Sequence, residues 1–402
     1  MRWGRVVRED EGEGVERVFA HEMLREIYEQ PEAIRRTIAL YTVAGQDGLK
    51  KDGLELNPEF FTPLAEWGNA HGEVLIMASG SSRHSGLAGE ILLEDQCGLA
   101  VDVEYASEYS SRATNPNSKD LRNPSVIVLS QSGETSDTLA ALREARQRKQ
   151  KTLAITNVED STMAREADLS MPLGAGREKA IPATKSFTSQ LTVLALLALY
   201  EGLSLNRLSP ATLTSRLREL AAVPDAIDAQ LDDWETRMAV LANKYRDATT
   251  FLYLGRGVHY AIAREGALKM KETSYVHAEG YPTGELKHGP NALVSEQVPL
   301  VVLATVDMND DGSLLRYEKT LQLLRDMKVQ GAKVIALANT GDDLVAGLVS
   351  DCVYVRPAPE HLLPISEIVP LQMFAYFMAI EHGVNVDHPR NLNKAVIEKS
   401  AV

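Results

Sequence analysis

In the stretch EGALKMKE, Glu265, Lys269 and Glu272 fall at i, i+4 and i+7, so a helix would carry two carboxylates and an ammonium on one face. On an anonymous amphipathic helix such spacing commonly builds a solvated ladder of ion pairs. The loop that follows, YPTGELKHGPN, weighs on the other side, because it packs Glu285, Lys287 and His288 between glycines and prolines. A lone histidine is more often structural than catalytic, yet one on a loop framed in this way is a candidate for acid–base work. Lys394, in the C-terminal RNLNKAV, reads on position alone as a solvated amine.

A second kind of chemistry is written in VIVLSQSGETSDTL, where an apolar β-branched run turns abruptly into Ser130, Gln131, Ser132, Gly133 and Thr135. Beyond the carboxyl end of a parallel strand the next helix presents unpaired N–H groups and the positive end of its dipole. Short hydroxyls there suit a phosphate monoester without any lysine or arginine. They equally suit a helix cap, with Glu134 favourable in the first turn. Two further turns tilt the balance: ASGSSRHSG places Gly80, Ser81 and Ser82 at another strand end, and IPATKSFTSQ places Thr184 at another helix start. Three hydroxyl-bearing turns in one domain are hard to explain as caps alone.

These turns need strands and helices to hold them. The runs VLIM, VIVL and TLAIT are each followed by a turn and a helical pattern, which argues for a parallel sheet flanked by helices. The grammar returns with FLYL, GRGVHYAIAREGALKMKE, VPLVVLAT, KVIALAN and CVYV. The expected organisation is a helical N-terminal segment (1–59), a first α/β domain (60–205), a helical connection (206–234) divided by prolines 210 and 224, a second α/β domain (235–385) and a short tail (386–402).

Composition sets limits on partners. The chain has 402 residues and a net charge of −14, so its field repels nucleic acid and anionic membranes, and a bound anion must be held by local geometry. No apolar run approaches a bilayer span, and the acidic N-terminus lacks a signal-peptide pattern, so a cytoplasmic protein is expected. The two cysteines, Cys97 and Cys352, lack zinc-site spacing and read as reduced core residues, with no metal or cofactor implied.

Read together, EIYEQPEAI, SGSSRHSG, SQSGETSDTL, TKSFTSQL, EGALKMKETSYVHAE, GELKHGP and HPRNLNKAV resemble the sugar isomerase (SIS) domain family, and more closely the isomerase half of the glutamine:fructose-6-phosphate amidotransferases. The resemblance covers about residues 22–402 and implies two tandem SIS domains, each a flavodoxin-like three-layer α/β sandwich. It further implies that Ser82, Ser130, Gln131, Ser132 and Thr135 hold a sugar phosphate, with Gly80, Ser81, Thr184 and Glu265 lining the pocket. Glu272 would move a proton between C1 and C2 of the open-chain sugar, shielded from water so that its pKa can rise, with Lys269 orienting it. His288 would assist ring opening from a neighbouring subunit, which implies a homodimer with a shared active site. Lys394 would form a Schiff base with the ketose carbonyl.

Departures from the family pattern shape the functional expectation. Arg2 stands where the family's glutaminase half has its N-terminal cysteine, no cysteine precedes Cys97, and EIYEQP begins already at Glu26, so a chain without its own glutaminase is expected. Ala183 replaces a serine and Asn393 a small residue beside the pocket. The leading expectation is an enzyme acting on hexose or hexosamine 6-phosphates, interconverting glucosamine 6-phosphate and fructose 6-phosphate with free ammonia. The alternatives are a fructosamine-6-phosphate deglycase with a larger amine, a sugar-phosphate-binding regulator without turnover, and an isomerase subunit served by a separate glutaminase.

Overall fold

The computed structural model describes residues 5–8, 16–44, 54–64, 67, 73–111 and 123–394. In the first sheet, strands β1 (Glu73–Ala78), β2 (Ala100–Tyr105), β3 (Ser125–Ser130), β4 (Thr152–Thr156) and β5 (Leu169–Pro172) lie in the order β2-β1-β3-β4-β5. Every neighbouring pair is parallel, with Ile76 opposite Ile127 and Val128 opposite Ala154. The second sheet repeats this order with β6 (Thr250–Gly255), β7 (His277–Pro282), β8 (Leu300–Leu303), β9 (Val334–Asn339) and β10 (Asp351–Val355), arranged β7-β6-β8-β9-β10 and again all parallel. The repeated strand, turn and helix pattern gives the parallel sheets, and their order is the flavodoxin-like one that the family resemblance implies.

The central strands are continuous apolar runs because helices cover both faces of a parallel sheet. All six residues of β3 and of β9 are buried. Leu75, Met77, Val126 and Val128 pack with Leu139, Leu142 and Ala145 of the helix Ser136–Gln147. Leu252, Leu254, Leu300 and Val302 pack likewise with Leu321, Leu324 and Met327 of the helix Asp311–Val329.

Two compact units result, and they do not follow chain order. Of the described residues, those within 32–176 and 186–223 gather around the first sheet, whereas those within 5–31, 177–185 and 224–394 gather around the second. The strap 177–185 and the N-terminal helix Glu22–Tyr28 therefore build onto the second unit.

Three details differ from the sequence expectation. The N-terminal region is not purely helical, since Arg5–Arg8 pairs antiparallel with Glu16–Phe19 and Thr42–Ala44 with Leu54–Leu56. Pro224 does not divide the connection but lies inside the helix Pro210–Asp228, where burial of Val223 and Ile227 outweighs one lost backbone hydrogen bond. The segments Lys185–Ser204 and Glu360–Glu381 are long and apolar enough to reach across a bilayer, but their most apolar 18-residue stretches are 89% and 94% buried within the fold. Their apolarity is that of core helices.

The end of β6 fixes where the next helix begins. A Cβ on Gly255 would lie 2.3 Å from the backbone oxygen of His259, so only glycine lets the helix Val258–Ser274 start directly over its strand.

Candidate active site

In the first unit, the hydroxyl turn at the end of β3 is folded on itself. Gly133 N–H donates to Ser130 Oγ at 3.1 Å, and Ser130 Oγ shares a 3.1 Å hydrogen bond with Thr135 Oγ1. Thr135 occupies the N-cap of the helix Ser136–Gln147 but makes no side-chain cap bond, so its hydroxyl is not spent on the helix. Ser132 Oγ accepts from Glu134 N–H at 3.2 Å, and Gln131 lends its carbonyl to Asn157 N–H at 3.1 Å while its side chain stays half-buried. Glu134 does not serve the helix that follows it: its carboxylate accepts from Thr162 N–H at 2.7 Å, at the start of another short helix. Gly133 has φ +65°, and a Cβ there would fall 2.1 Å from Ser161 Oγ, so the curl of this turn depends on glycine.

The neighbouring strand end supplies the second turn. Gly80 is exposed and Ser81 and Ser82 half-buried in the first turn of the helix Gly80–Cys97, whose N-cap Ser79 also makes no side-chain cap bond. Ser82 Oγ accepts from Gln190 Nε2 at 2.9 Å, while Gln190 Oε1 accepts from Ser85 Oγ at 2.8 Å. Nothing in the sequence of TKSFTSQL marks Gln190; only its place one helix away shows that it orients Ser82. β1 and β3 are the pair at which the strand order reverses, the place where open α/β sheets bind ligands.

The second unit holds the charged groups. Glu265 and Lys269 are fully buried, and the Lys269 ammonium lies 3.3 Å from Glu265 and 2.5 Å from Glu272. The shared helical face is thus buried at Glu265 and Lys269 and opens only at Glu272, so it is not a surface ladder. Burial alone would push the Lys269 pKa down, but the two carboxylates more than reverse this and hold it above the usual lysine range. Glu272 keeps 23% of its side chain exposed, so the expected shielding from water is only partial in this chain.

Lys394 is not a solvated amine. Its Nζ donates to Glu178 Oε2 at 2.6 Å and to the Ala180 carbonyl at 2.6 Å, and the Glu178 side chain is fully buried. Glu178 Oε1 in turn accepts from Thr184 N–H at 3.0 Å. The Thr184 hydroxyl is buried and makes no hydrogen bond among the described residues. Glu26 backs this cluster, accepting from Lys179 N–H and, at 3.3 Å, from Ala180 N–H. Burial, assisted by the nearby Glu178 charge, raises its carboxyl to about 7 against the opposing pull of the backbone N–H, Lys185 and Lys394. Glu178 and Glu26 escaped the sequence reading because their partners lie 216 and 153 residues away along the chain.

His288 stands apart from these groups. It ends the short turn Thr283–His288, is exposed, and makes no hydrogen bond or ion pair among the described residues. Its neighbour Lys287 is held by Asp326 at 2.7 Å, and Glu285 is exposed.

Residues 69–200 and 244–382 match the SIS domain family. The chain is 40% identical over 379 residues to the glutamine–fructose-6-phosphate aminotransferase (isomerizing) of Chlorobaculum tepidum, and 40% identical over 378 residues to that of Thermus thermophilus. These matches take in 94% of this chain but only 58% and 59% of those relatives, so the chain spans little more than half their length. The C-terminal domain of glucosamine-fructose-6-phosphate aminotransferase from Francisella tularensis superposes with a TM-score of 0.81 at 32% identity, covering 92% of this chain and 98% of that one.

Two outcomes follow from the geometry. Gly133→Ala drives a methyl group into Ser161, so thermal unfolding should show a stability cost of about 1–3 kcal/mol, and an unchanged stability would contradict the need for glycine in this turn. Glu26 gives a pH signature: between the ordinary glutamate value of 4.5 and about 7 the folded chain retains a proton that the unfolded chain has released. Its contribution to stability is therefore fully present below 4.5 and lost as pH rises through about 7. In denaturant titrations Glu26→Gln should gain about 2 kcal/mol relative to the native chain on going from pH 5 to pH 8, whereas equal differences at both pH values would contradict this.

Proposed function

The chain belongs to the SIS domain family, with two such domains, and we propose that it is a hexosamine-phosphate isomerase and deaminase that interconverts glucosamine 6-phosphate and fructose 6-phosphate with ammonia as the amine. The observation that carries this reading is the Lys269–Glu272 pair. A carboxylate with one open face, held by a buried ammonium at 2.5 Å, is positioned for moving a proton between adjacent carbons.

The remaining residues divide the work. Ser82, Ser130, Gln131, Ser132 and Thr135 hold the phosphate through hydroxyl, amide and helix N-terminal N–H donors, with Gly80 and Ser81 at the pocket's edge. Lys394 condenses with the ketose carbonyl, which acidifies the neighbouring C–H for Glu272 and leaves an imine that ammonia can displace. Lys269 orients Glu272, Glu265 anchors Lys269, and the Thr184 hydroxyl faces the sugar. The exposed His288 supports a role in ring opening delivered to a second copy of the chain, and hence a homodimer.

Purified protein given glucosamine 6-phosphate should release ammonia and fructose 6-phosphate in equal amounts, and Lys394→Ala should lower the rate by about 100-fold or more with phosphate binding kept. Folded protein that binds the sugar phosphate without turnover would contradict the reading and favour a sensor. Faster release from hexose phosphates bearing a larger amine would move the assignment to a deglycase.

A further inference from the structure

Resting on that reading of Lys394, we propose that Glu178 is the proton acceptor that turns the Lys394 ammonium into an attacking amine and then hands the proton to the departing hydroxyl. An ammonium has no lone pair, so a lysine must lose a proton before it can add to a carbonyl. Among the described residues, the side-chain base in contact with Nζ is Glu178 Oε2, at 2.6 Å. The other contact of Nζ, the Ala180 carbonyl at 2.6 Å, fixes the nitrogen but cannot take a proton.

The surroundings aim this carboxylate. Thr184 N–H holds Oε1 at 3.0 Å, which fixes the plane of the carboxylate and leaves Oε2 facing the lysine. The strap that carries Glu178 is itself pinned: Lys179 and Ala180 N–H donate to Glu26, and Ile181 N–H donates to the Asp387 carbonyl at 3.0 Å. The tail that carries Lys394 is pinned at the same places. Asp387 caps the helix Glu22–Tyr28 through Glu22 N–H at 3.0 Å and Met23 N–H at 2.8 Å, and Arg390 lies 4.2 Å from the Tyr275 ring centroid.

The other titratable groups around the pair are already engaged. Glu26 receives backbone N–H groups, Arg25 lies on Glu22 and Glu29, Lys179 reaches Glu22 at 3.2 Å, and Lys185 reaches Glu29 at 2.6 Å.

The step balances. An Nζ–H bond breaks and an Oε2–H bond forms; the nitrogen lone pair then bonds to the ketose carbonyl carbon, and the carbonyl π pair moves to oxygen. Transfer of a second proton from nitrogen to that oxygen gives the carbinolamine. Glu178 protonates the hydroxyl, the C–O bond breaks, water leaves, and the nitrogen lone pair completes the iminium. Glu178 ends as it began, ionised beside a cation.

The test is borohydride trapping of fructose 6-phosphate on Lys394, followed by peptide mass spectrometry from pH 6 to 9 in the native chain, Glu178→Gln and Glu178→Asp. Glutamine can still accept the lysine hydrogen bond but cannot take its proton. The expected result is trapping slowed about 100-fold in Glu178→Gln at pH 7, with a rate that climbs tenfold per pH unit, and recovery to within tenfold of native in Glu178→Asp. Native rate and native pH profile in Glu178→Gln would overturn the proposal while leaving the functional reading intact. Equal loss in both variants with the native pH profile would also overturn it, since Glu178 would then only anchor the tail. No adduct on the native chain would overturn the proposal and the functional reading together.

Discussion

A lysine ammonium with no exposed surface, 3.3 Å from Glu265 and 2.5 Å from Glu272, is the interaction on which the chemical half of this molecule rests. A charge at that depth is tolerable only if it is paired, and removing one partner of such a set commonly costs about 3–5 kcal/mol. The pairing therefore constrains the helix Val258–Ser274 to present all three residues on one face and toward the interior. Gly255 lets that helix begin directly over β6, and the helix Leu363–Glu381 packs along it. The direction in which the Glu272 carboxylate points is thus inherited from a glycine seventeen positions earlier and from the packing of two core helices.

The same logic governs the C-terminal tail. Lys394 is drawn into the second unit by a buried carboxylate on the strap 177–185, and strap and tail meet again where Ile181 N–H bonds to the Asp387 carbonyl. Asp387 also caps the N-terminal helix, so three stretches far apart in sequence are fastened by one acidic residue and one lysine. The first unit solves the opposite problem. In a chain of net charge −14 the grip proposed for the phosphate consists of hydroxyls and backbone N–H groups instead of cations, on a turn whose curl needs Gly133. An uncharged grip lets an acidic protein bind an anion without placing unpaired arginines beside its carboxylates.

Much of this is legible in sequence because parallel sheets write themselves locally. Apolar runs such as VIVL, each followed by a glycine or serine turn and a helical pattern, disclose strand, loop and helix in order, and the second set of runs discloses the repeat. Spacing also placed Glu265, Lys269 and Glu272 on one face, but spacing cannot say whether that face is wet, and here Glu265 and Lys269 are buried while Glu272 stays partly exposed. Residues whose meaning comes from distant partners stayed hidden: Glu178 because of Lys394, Glu26 because of the strap, and Gln190 because of Ser82. Pro224 sits inside a helix against its propensity because local propensity is a weak guide where flanking residues are buried.

The central claim is that Glu272, held by Lys269, moves a carbon-bound proton of a sugar phosphate. The most direct measurement is proton NMR of fructose 6-phosphate incubated with the protein in D2O. A C1 proton signal should fade as deuterium enters with the native chain and should persist with Glu272→Gln. A signal that persists with native protein that has bound the sugar phosphate, or that fades equally with Glu272→Gln, would contradict it.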